Sequence, residues 1–427
     1  MSGNSGTNAR EKHHVVVVGG GFGGLQCIKS LKSSNTRITL IDQRNHHLFQ
    51  PLLYQVATTI LAPSEIAWPL RQIFRKRDDV TTLMAKVTDV EADLKHVHLD
   101  DGTIITFDTL VLATGARHSY FGNNAWEEHA PGLKTLEDAT TIRRKILSAF
   151  EAAEKSQDPE MQKSNLTFAV IGAGPTGVEL AGIIAELSYR ILPKEFRRID
   201  TKKSRVLLIE AGPKVLPAYP EKLSNYARDS LAGLGVEMLL GEPVTACKAD
   251  TVEIGQTRIP CNTIIWAAGV QASAAAKWIG IESDRVGRAL VEPDLSAPGY
   301  PDIFLIGDTV AVLDSNGDGV PGIAPAAKQM GGYVAKVIHR RLKNTAFPGP
   351  FSYRHAGSLA TLGRRTAIAD FGKFTLKGPF AWWVWGVAHI FFLIGTRSRI
   401  SVSLSWVWSY LSGQNSARII TSPHNEN

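Results

Sequence analysis

The chain has 427 residues, 44% hydrophobic and 20% charged, with 38 glycines and 21 prolines. That is enough for two or three globular domains and excludes a fibrous or largely disordered chain. A formal charge of +7 is mild for this length; it permits an anionic membrane surface, an acidic partner or nucleic acid and selects none of them. Only Cys27, Cys247 and Cys261 occur, which gives no CxxC pair, no metal knuckle and no disulfide framework, and fits a reducing compartment.

Residues 1–12 are polar and lack the apolar stretch of an export signal. Residues 15–24, VVVVGGGFGG, read as a buried strand running into Gly19, Gly21 and Gly24 at the spacing G-x-G-x-x-G. Such a turn lets a pyrophosphate approach bare backbone above a helix N-terminus. Alone, the motif is weak, since a glycine-rich strand-to-helix turn with no ligand is the lesser alternative. The next strand, 37–41, ends in Asp42, where a carboxylate can accept hydrogen bonds from a ribose diol. Pro51 then precedes an apolar helical run within 45–61. Residues 83–99 read as two alternating strands, and FDTLVLATGA (107–116) as a buried strand ending in Thr114 and Gly115. A charged amphipathic helix is expected over 135–155, with Thr135 and Asp138 spaced as a capping box. A polar loop over 156–164 follows.

The pattern then repeats. Residues 166–187 hold a strand, then Gly172, Gly174 and Gly177, then a helix; the strand 205–209 ends in Glu210. CNTIIWAAGV (261–270), with Ala268 and Gly269, echoes FDTLVLATGA. Gly115 follows Gly19 by 96 residues and Gly269 follows Gly172 by 97, so the chain reads as a domain-scale duplication with two dinucleotide sites. A further strand over 300–312 carries Gly307 and Asp308. DSNGDG (314–319) resembles the start of a calcium loop, but its twelfth position is Pro325 rather than glutamate, so a polar hairpin is expected and no metal. A helix follows over 324–342.

The C-terminal part differs. Residues 378–395 contain about 14 near-continuous apolar residues, short of the ~20 that a spanning helix requires. Residues 400–411 place Ile400, Leu404, Val407 and Leu411 on one helical face and Ser401, Ser405, Ser409 and Ser412 on another. Trp382, Trp383, Trp385, Trp406, Trp408 and Tyr410 supply rings suited to a headgroup layer. Lys373, Lys377, Arg397, Arg399 and Arg418 flank them. An amphipathic helical hairpin lying on a membrane surface is expected; a dimer interface or a buried helix pair is the alternative.

Two dinucleotide sites imply electron transfer between a tight flavin in the first and exchangeable nicotinamide in the second. Asp308 would lie near the flavin's ribityl or phosphate groups. Glu210 would bind the free diol of NADH and repel the 2′-phosphate of NADPH, with Lys214 nearby acting in the opposite sense. A lipid-facing tail points to a quinone as acceptor. A soluble NADH oxidase or ferredoxin-type reductase, and a redox-sensing flavoprotein that binds nucleic acid, remain alternatives. Charge is spread along the chain, with 71–77 its only dense basic run, so no nucleic acid is expected.

HHLFQPLLYQVAT, TGARHSYFG, GPTGVELAG, IGDTV and AGSLATLGRRTAIADFG together resemble the type II NADH:quinone oxidoreductases, over about 15–420. The resemblance implies an α/β chain of two Rossmann-type domains of the glutathione-reductase kind plus an amphipathic C-terminal region. An FAD-binding part at 13–121 would be followed by a linker helix and NADH-binding domain at 122–294. An FAD-domain return at 295–350 and a membrane-associating, dimerising region at 351–427 would complete it. It also implies non-covalent FAD, NADH as substrate and a quinone acceptor, in a monotopic homodimer on the cytoplasmic face of a bacterial inner membrane. Such an enzyme is a respiratory-chain entry point that does not pump protons.

The FAD residues carried over are Gly19, Gly21, Phe22, Gly23, Gly24, Asp42, Val87, Thr114, Gly115, Gly307, Asp308 and Ala326, the last at a helix N-terminus. For NADH they are Gly172, Gly174, Gly177, Glu179, Glu210, Ala268 and Gly269. Glu179, Gln329 and Lys373 take catalytic roles, and Pro325, Gln329 and Leu376 take the quinone. The family's segment A-Q-x-A-x-Q-x-G reads APAAKQMG here; Gln329 matches, while Pro325 replaces the first glutamine.

Overall fold

A computed structural model describes residues 12–32, 35–314, 317–415 and 417–420. Most of the polar N-terminal stretch, together with Ser315 and Asn316 of the DSNGDG turn, lies outside those residues. The chain forms two compact units, one from Met1–His47, Trp68–Arg117 and Gln271–His355, the other from Leu48–Ala67, His118–Val270 and Ala356–Asn427.

In the first unit, strand His13–Val18 pairs in parallel with Thr36–Asp42 on one side and Thr109–Leu112 on the other. Val15 through Val18 are buried on both faces of the sheet, which is why the run is apolar without alternation. Val80–Met84 and Tyr300–Leu305 extend the sheet outward. Helix Phe22–Ser30 leaves the first strand, and helix Ala324–Leu342 packs on it. The approach is close because Gly331 has no side chain; a Cβ there would land on the Gly23 carbonyl. Residues 83–99 belong to three strands, not two. Leu83 is part of Val80–Met84 in the parallel sheet, and after Ala85 and Lys86 the chain starts an antiparallel meander, Val87–Glu91, His96–Leu99 and Ile104–Thr106. Leu313 and Gly319, on either side of Ser315 and Asn316, are joined by an antiparallel bridge.

The second unit repeats the plan. Thr167–Ile171 is flanked in parallel by Arg205–Glu210 and Thr263–Trp266, with Val236–Leu240 outside. Val244–Cys247, Thr251–Ile254 and Thr257–Pro260 form its meander. The duplication legible in the glycine motifs therefore extends to strand order. Helix Leu136–Lys155 starts on a reciprocal box: the Asp138 amide donates to Thr135 Oγ1 at 3.1 Å and the Thr135 amide to Asp138 Oδ2 at 2.9 Å. Residues 156–164 are not simply a loop. Helix Pro159–Asn165 sits there, with Asp158 accepting from the Glu160 amide and proline in the first turn, a combination that favours a helix start.

The apolar run after Pro51 makes only a short helix, Leu53–Ala57, which ends near Thr59 at a φ of 70°. It is held by buried Arg143, whose guanidinium donates to the carbonyls of Val56 and Leu61, each at 2.7 Å. Residues 48–67 thus pack with the second unit rather than within 13–121. Residues 271–294 pack with the first, and 356–427 are part of the second rather than a region apart.

Strands Ser358–Thr361, Ala367–Asp370 and Thr375–Gly378 lead to helices Pro379–Phe392 and Thr396–Ser412. In the last helix the polar face turns inward. Ser401 and Ser405 donate to Glu65 Oε1 at 2.8 and 2.6 Å, and Ser409 is buried. Ile400, Leu404, Val407 and Leu411 are 56, 64, 55 and 77% exposed. Phe380, Trp383, Val387 and Phe391 of the preceding helix are exposed as well. Trp385 and Trp406 are not outer rings: Trp385 is 1% exposed and lies 5.1 Å from Trp406, centroid to centroid. Among the described residues no helix is long and apolar enough to cross a membrane.

Candidate functional site

The two glycine turns are built alike. Gly19 has φ +105°, and a Cβ there would land on the Ala113 carbonyl; one on Gly24 would land on the Gly19 carbonyl. These close approaches make the turn tight. At Gly21 a Cβ meets nothing within 4 Å, which leaves open ground at the N-terminus of helix Phe22–Ser30, where backbone N–H groups and the helix dipole favour phosphate. Asp42 braces the turn, accepting from the Gly20 amide at 2.6 Å and the Arg44 amide at 2.7 Å. Burial raises its carboxyl above the usual range, against the lowering pull of those two donors. Two acceptor positions of the carboxylate stay available to a ribose diol.

His47 donates from Nδ1 to the Gly20 carbonyl at 2.8 Å and meets Phe22 edge-on at 5.1 Å. Burial drops its pKa to about 4, so the ring is neutral and the donor is fixed. At the neighbouring strand end, Thr114 Oγ1 lies 2.5 Å from Ser273 Oγ, and the Gly115 amide donates to Thr309 Oγ1 at 3.0 Å. The second bond ties Gly115 to the turn Gly307–Thr309 that carries Asp308. Val87 and Ala326 are buried in the same unit, Ala326 in the first turn of its helix beside Pro325. The bare cradle, the helix start and the acidic brace fit a dinucleotide.

In the second unit Gly172 has φ +101°, a Cβ on Gly177 would land on the Gly172 carbonyl, and Gly174 again faces open space. Glu210 accepts from the Ala173 amide at 2.8 Å and the Gly212 amide at 2.9 Å, the same bracing as Asp42. Ala268 borders Gly172, and Gly269 lies against the Phe121 ring. This turn fits a second dinucleotide.

Glu179, on helix Pro175–Glu186, is 8% exposed. It is not a solvated helix carboxylate. Burial pushes its pKa up to about 8, and the Thr361 amide donates to it at 3.3 Å. A polar thread continues from Thr361. Its hydroxyl lies 2.9 Å from the Tyr54 hydroxyl, Gln55 donates to Tyr54 at 3.1 Å, and Trp406 Nε1 donates to Gln55 at 2.7 Å. The thread lines an aromatic cavity shared with Ile60, Ile183, Trp382, Trp385 and Tyr410. Arg364 borders it, its amide bonded to Glu186 and its guanidinium to Ser409. Tyr54, Gln55 and Thr361 escaped the sequence reading, although they stand within HHLFQPLLYQVAT and AGSLATLGRRTAIADFG.

The remaining residues lie on other elements of the two units. Gln329 in the first unit spends its amide on the Arg354 backbone, donating at 2.8 Å and accepting at 2.9 Å. Lys373 lies exposed in the turn between strands Ala367–Asp370 and Thr375–Gly378, and Leu376 is half-buried opposite Ala369.

Residues 13–331 match the pyridine nucleotide-disulphide oxidoreductase family, and residues 355–415 match the NDH2 C-terminal domain. Over 424 residues the chain is 44% identical to type II NADH:quinone oxidoreductase Ndh of Mycobacterium tuberculosis, covering 96% of this chain and 90% of that protein. The chain belongs to the type II NADH:quinone oxidoreductases. Another member, from Staphylococcus haemolyticus, is 32% identical over 371 residues, covering 84% of this chain and 90% of that one. The fold of NDH2 from Plasmodium falciparum, solved in complex with NADH, matches with a TM-score of 0.88 at 21% identity, covering 96% of this chain and 100% of that one. A sulfide:quinone oxidoreductase from Aquifex aeolicus shares the fold with a TM-score of 0.74 at 21% identity, over 94% and 95% of the two chains.

Proposed function

We infer that this chain holds FAD at the Gly19–Gly24 turn and NADH at the Gly172–Gly177 turn, and oxidises NADH with a quinone as acceptor. The observation that carries this reading is the pair of acid-braced glycine turns in a chain 44% identical to a type II NADH:quinone oxidoreductase. Held at the Gly19–Gly24 turn, FAD would supply the chemistry that takes up hydride from NADH and delivers two electrons to a quinone. The protein's part is to bind, orient and manage protons. Gly21 and Gly174 leave their backbone bare for the two pyrophosphates, and Asp42 and Glu210 hold the riboses. Thr114, Gly115, Gly307, Asp308, Ala326 and Val87 complete the FAD site, with Ala268 and Gly269 beside NADH.

Glu179 is protonated at neutral pH because its pKa is near 8. It holds a proton one residue contact from the Thr361–Tyr54 hydroxyl pair, which suits it to supply the proton that quinol formation consumes. The rings of Trp382, Trp385, Trp406 and Tyr410 give that hydroxyl pair an apolar border. Pro325 and Gln329 remain assigned to quinone on the family motif, and Leu376 (quinone) and Lys373 (catalytic) on their places in the family resemblance. A quinone contact at Gln329 would displace its bonds to Arg354.

The exposed Ile400, Leu404, Val407 and Leu411 of one helix, with Phe380, Trp383, Val387 and Phe391 of the other, are apolar side chains of the kind that insert into a headgroup layer. This surface supports reading the chain as a monotopic membrane enzyme; the homodimer, the cytoplasmic face and the absence of proton pumping are carried over from the family resemblance. The purified protein should retain FAD, and its NADH oxidation should depend on added quinone. Oxidation at an equal rate with oxygen alone would overturn the quinone assignment.

A further inference from the structure

The antiparallel meander of the first unit carries a cluster that electron transfer does not use. His96 and His98 are two apart on strand His96–Leu99 and so project from one face. Glu91, on strand Val87–Glu91, is the ladder partner of His96, and Asp89 is that of His98. Glu91 Oε2 lies 3.4 Å from His96 Nδ1 and 3.2 Å from His98 Nε2. The three ligand atoms fall within 4.8 Å of one another, which no other group of three His, Cys, Asp or Glu does among the described residues. In a tetrahedral shell with bonds of ~2.0–2.1 Å, neighbouring ligand atoms stand ~3.3–3.4 Å apart, so the two His–Glu distances already match. His98 Nε2 is shielded from solvent, and its approach to Glu91 lacks hydrogen-bond alignment. The two imidazoles meet edge to face, inclined at 74° with centroids 6.4 Å apart. Side-chain exposures of 48, 30 and 28% for Glu91, His96 and His98 leave one side open to water.

We propose that Glu91, His96 and His98 form a site for a divalent transition metal of the zinc class, with water as fourth ligand. Two imidazoles and one carboxylate favour zinc over magnesium or calcium, which prefer all-oxygen shells. The ion would clamp strands Val87–Glu91 and His96–Leu99 across their connecting turn and take no part in the redox chemistry.

The test is calorimetric titration of the metal-stripped, tag-free FAD enzyme with zinc chloride and, separately, magnesium chloride. About one zinc per chain and a raised Tm are expected, with magnesium giving no saturable heat. The His96→Gln/His98→Gln double variant, and Glu91→Gln alone, should weaken zinc binding by at least ~10-fold with flavin content and quinone reductase turnover unchanged. Absence of saturable zinc binding, equal binding of magnesium, or undiminished affinity in Glu91→Gln and the double variant would each overturn the site.

Discussion

Asp42 and Glu210 do the same thing in two places: each closes a glycine turn by accepting the amide of the residue between its first two glycines. A charge-removing change at Glu210 therefore separates bracing from recognition. Glu210→Gln keeps an acceptor for the Ala173 amide and removes the repulsion toward a 2′-phosphate. It should raise the NADPH-to-NADH ratio of kcat/KM by ~10-fold, equivalent to ~1.4 kcal/mol; an unchanged ratio removes the role. Gly24→Ala, whose Cβ would strike the Gly19 carbonyl, should release FAD on purification, whereas Gly177→Ala should leave FAD bound and raise the KM for NADH. Identical flavin content in the two variants would contradict the assignment of the turns.

Glu179 gives a pH test. Its folded pKa of about 8 stands above the ordinary 4.5, so between those values the folded state binds the extra proton. Stability from this group is present at low pH and lost as pH rises toward and through 8. Glu179→Gln cannot ionise, and its Tm relative to the parent should improve from pH 5 to pH 9; a parallel offset at every pH would refute the shift. Reoxidation by quinone should slow by ~10²-fold in this variant. The glycines and strand-end acids were legible because their geometry is local. Glu179's burial was not, since its partner Thr361 lies on a distant strand, and Thr361 meets Tyr54 across a sequence separation of 307.

Helix Thr396–Ser412 shows what periodicity conveys and what it omits. Both faces could be read from the spacing of its apolar residues and serines, but not which one turns inward. Glu65 decides that, by accepting from Ser401 and Ser405. Loss of that acceptor in Glu65→Ala should cost about 1 kcal/mol by leaving two half-buried hydroxyls without their partner, read as a lowered Tm; an unchanged Tm would show the serines to be satisfied elsewhere. The outward face is tested by replacing Leu404, Val407 and Leu411 with glutamine. At ~1.5 kcal/mol or more for each large apolar side chain buried, binding to lipid vesicles should fall by more than ~10²-fold with Tm preserved. Undiminished sedimentation with vesicles would reject the surface. Truncation ahead of these helices is a poorer probe, because it removes buried Trp385 and Ser409 from the second unit. Helix Pro159–Asn165 was within reach of the sequence, since Asp158 followed by Pro159 is a helix-start signal hidden in a polar stretch.

At the scale of the whole chain, the duplication was legible because two motifs and two downstream strands recur at nearly equal offsets, and equal offsets demand equal topology. The assignment of segments to units was not. Residues 48–67 and 356–427 join the second unit through contacts such as Arg143 to Val56 and Leu61 and Asn415 to Thr59, which no local pattern announces. Each unit carries one glycine turn of the same build, and the proposed function assigns the flavin to the first. The most direct measurement is an anaerobic titration of the purified FAD enzyme. Stoichiometric NADH should bleach the flavin absorbance, and a quinone should restore it; a flavin that stays bleached with ubiquinone and menaquinone analogues alike would contradict the assignment.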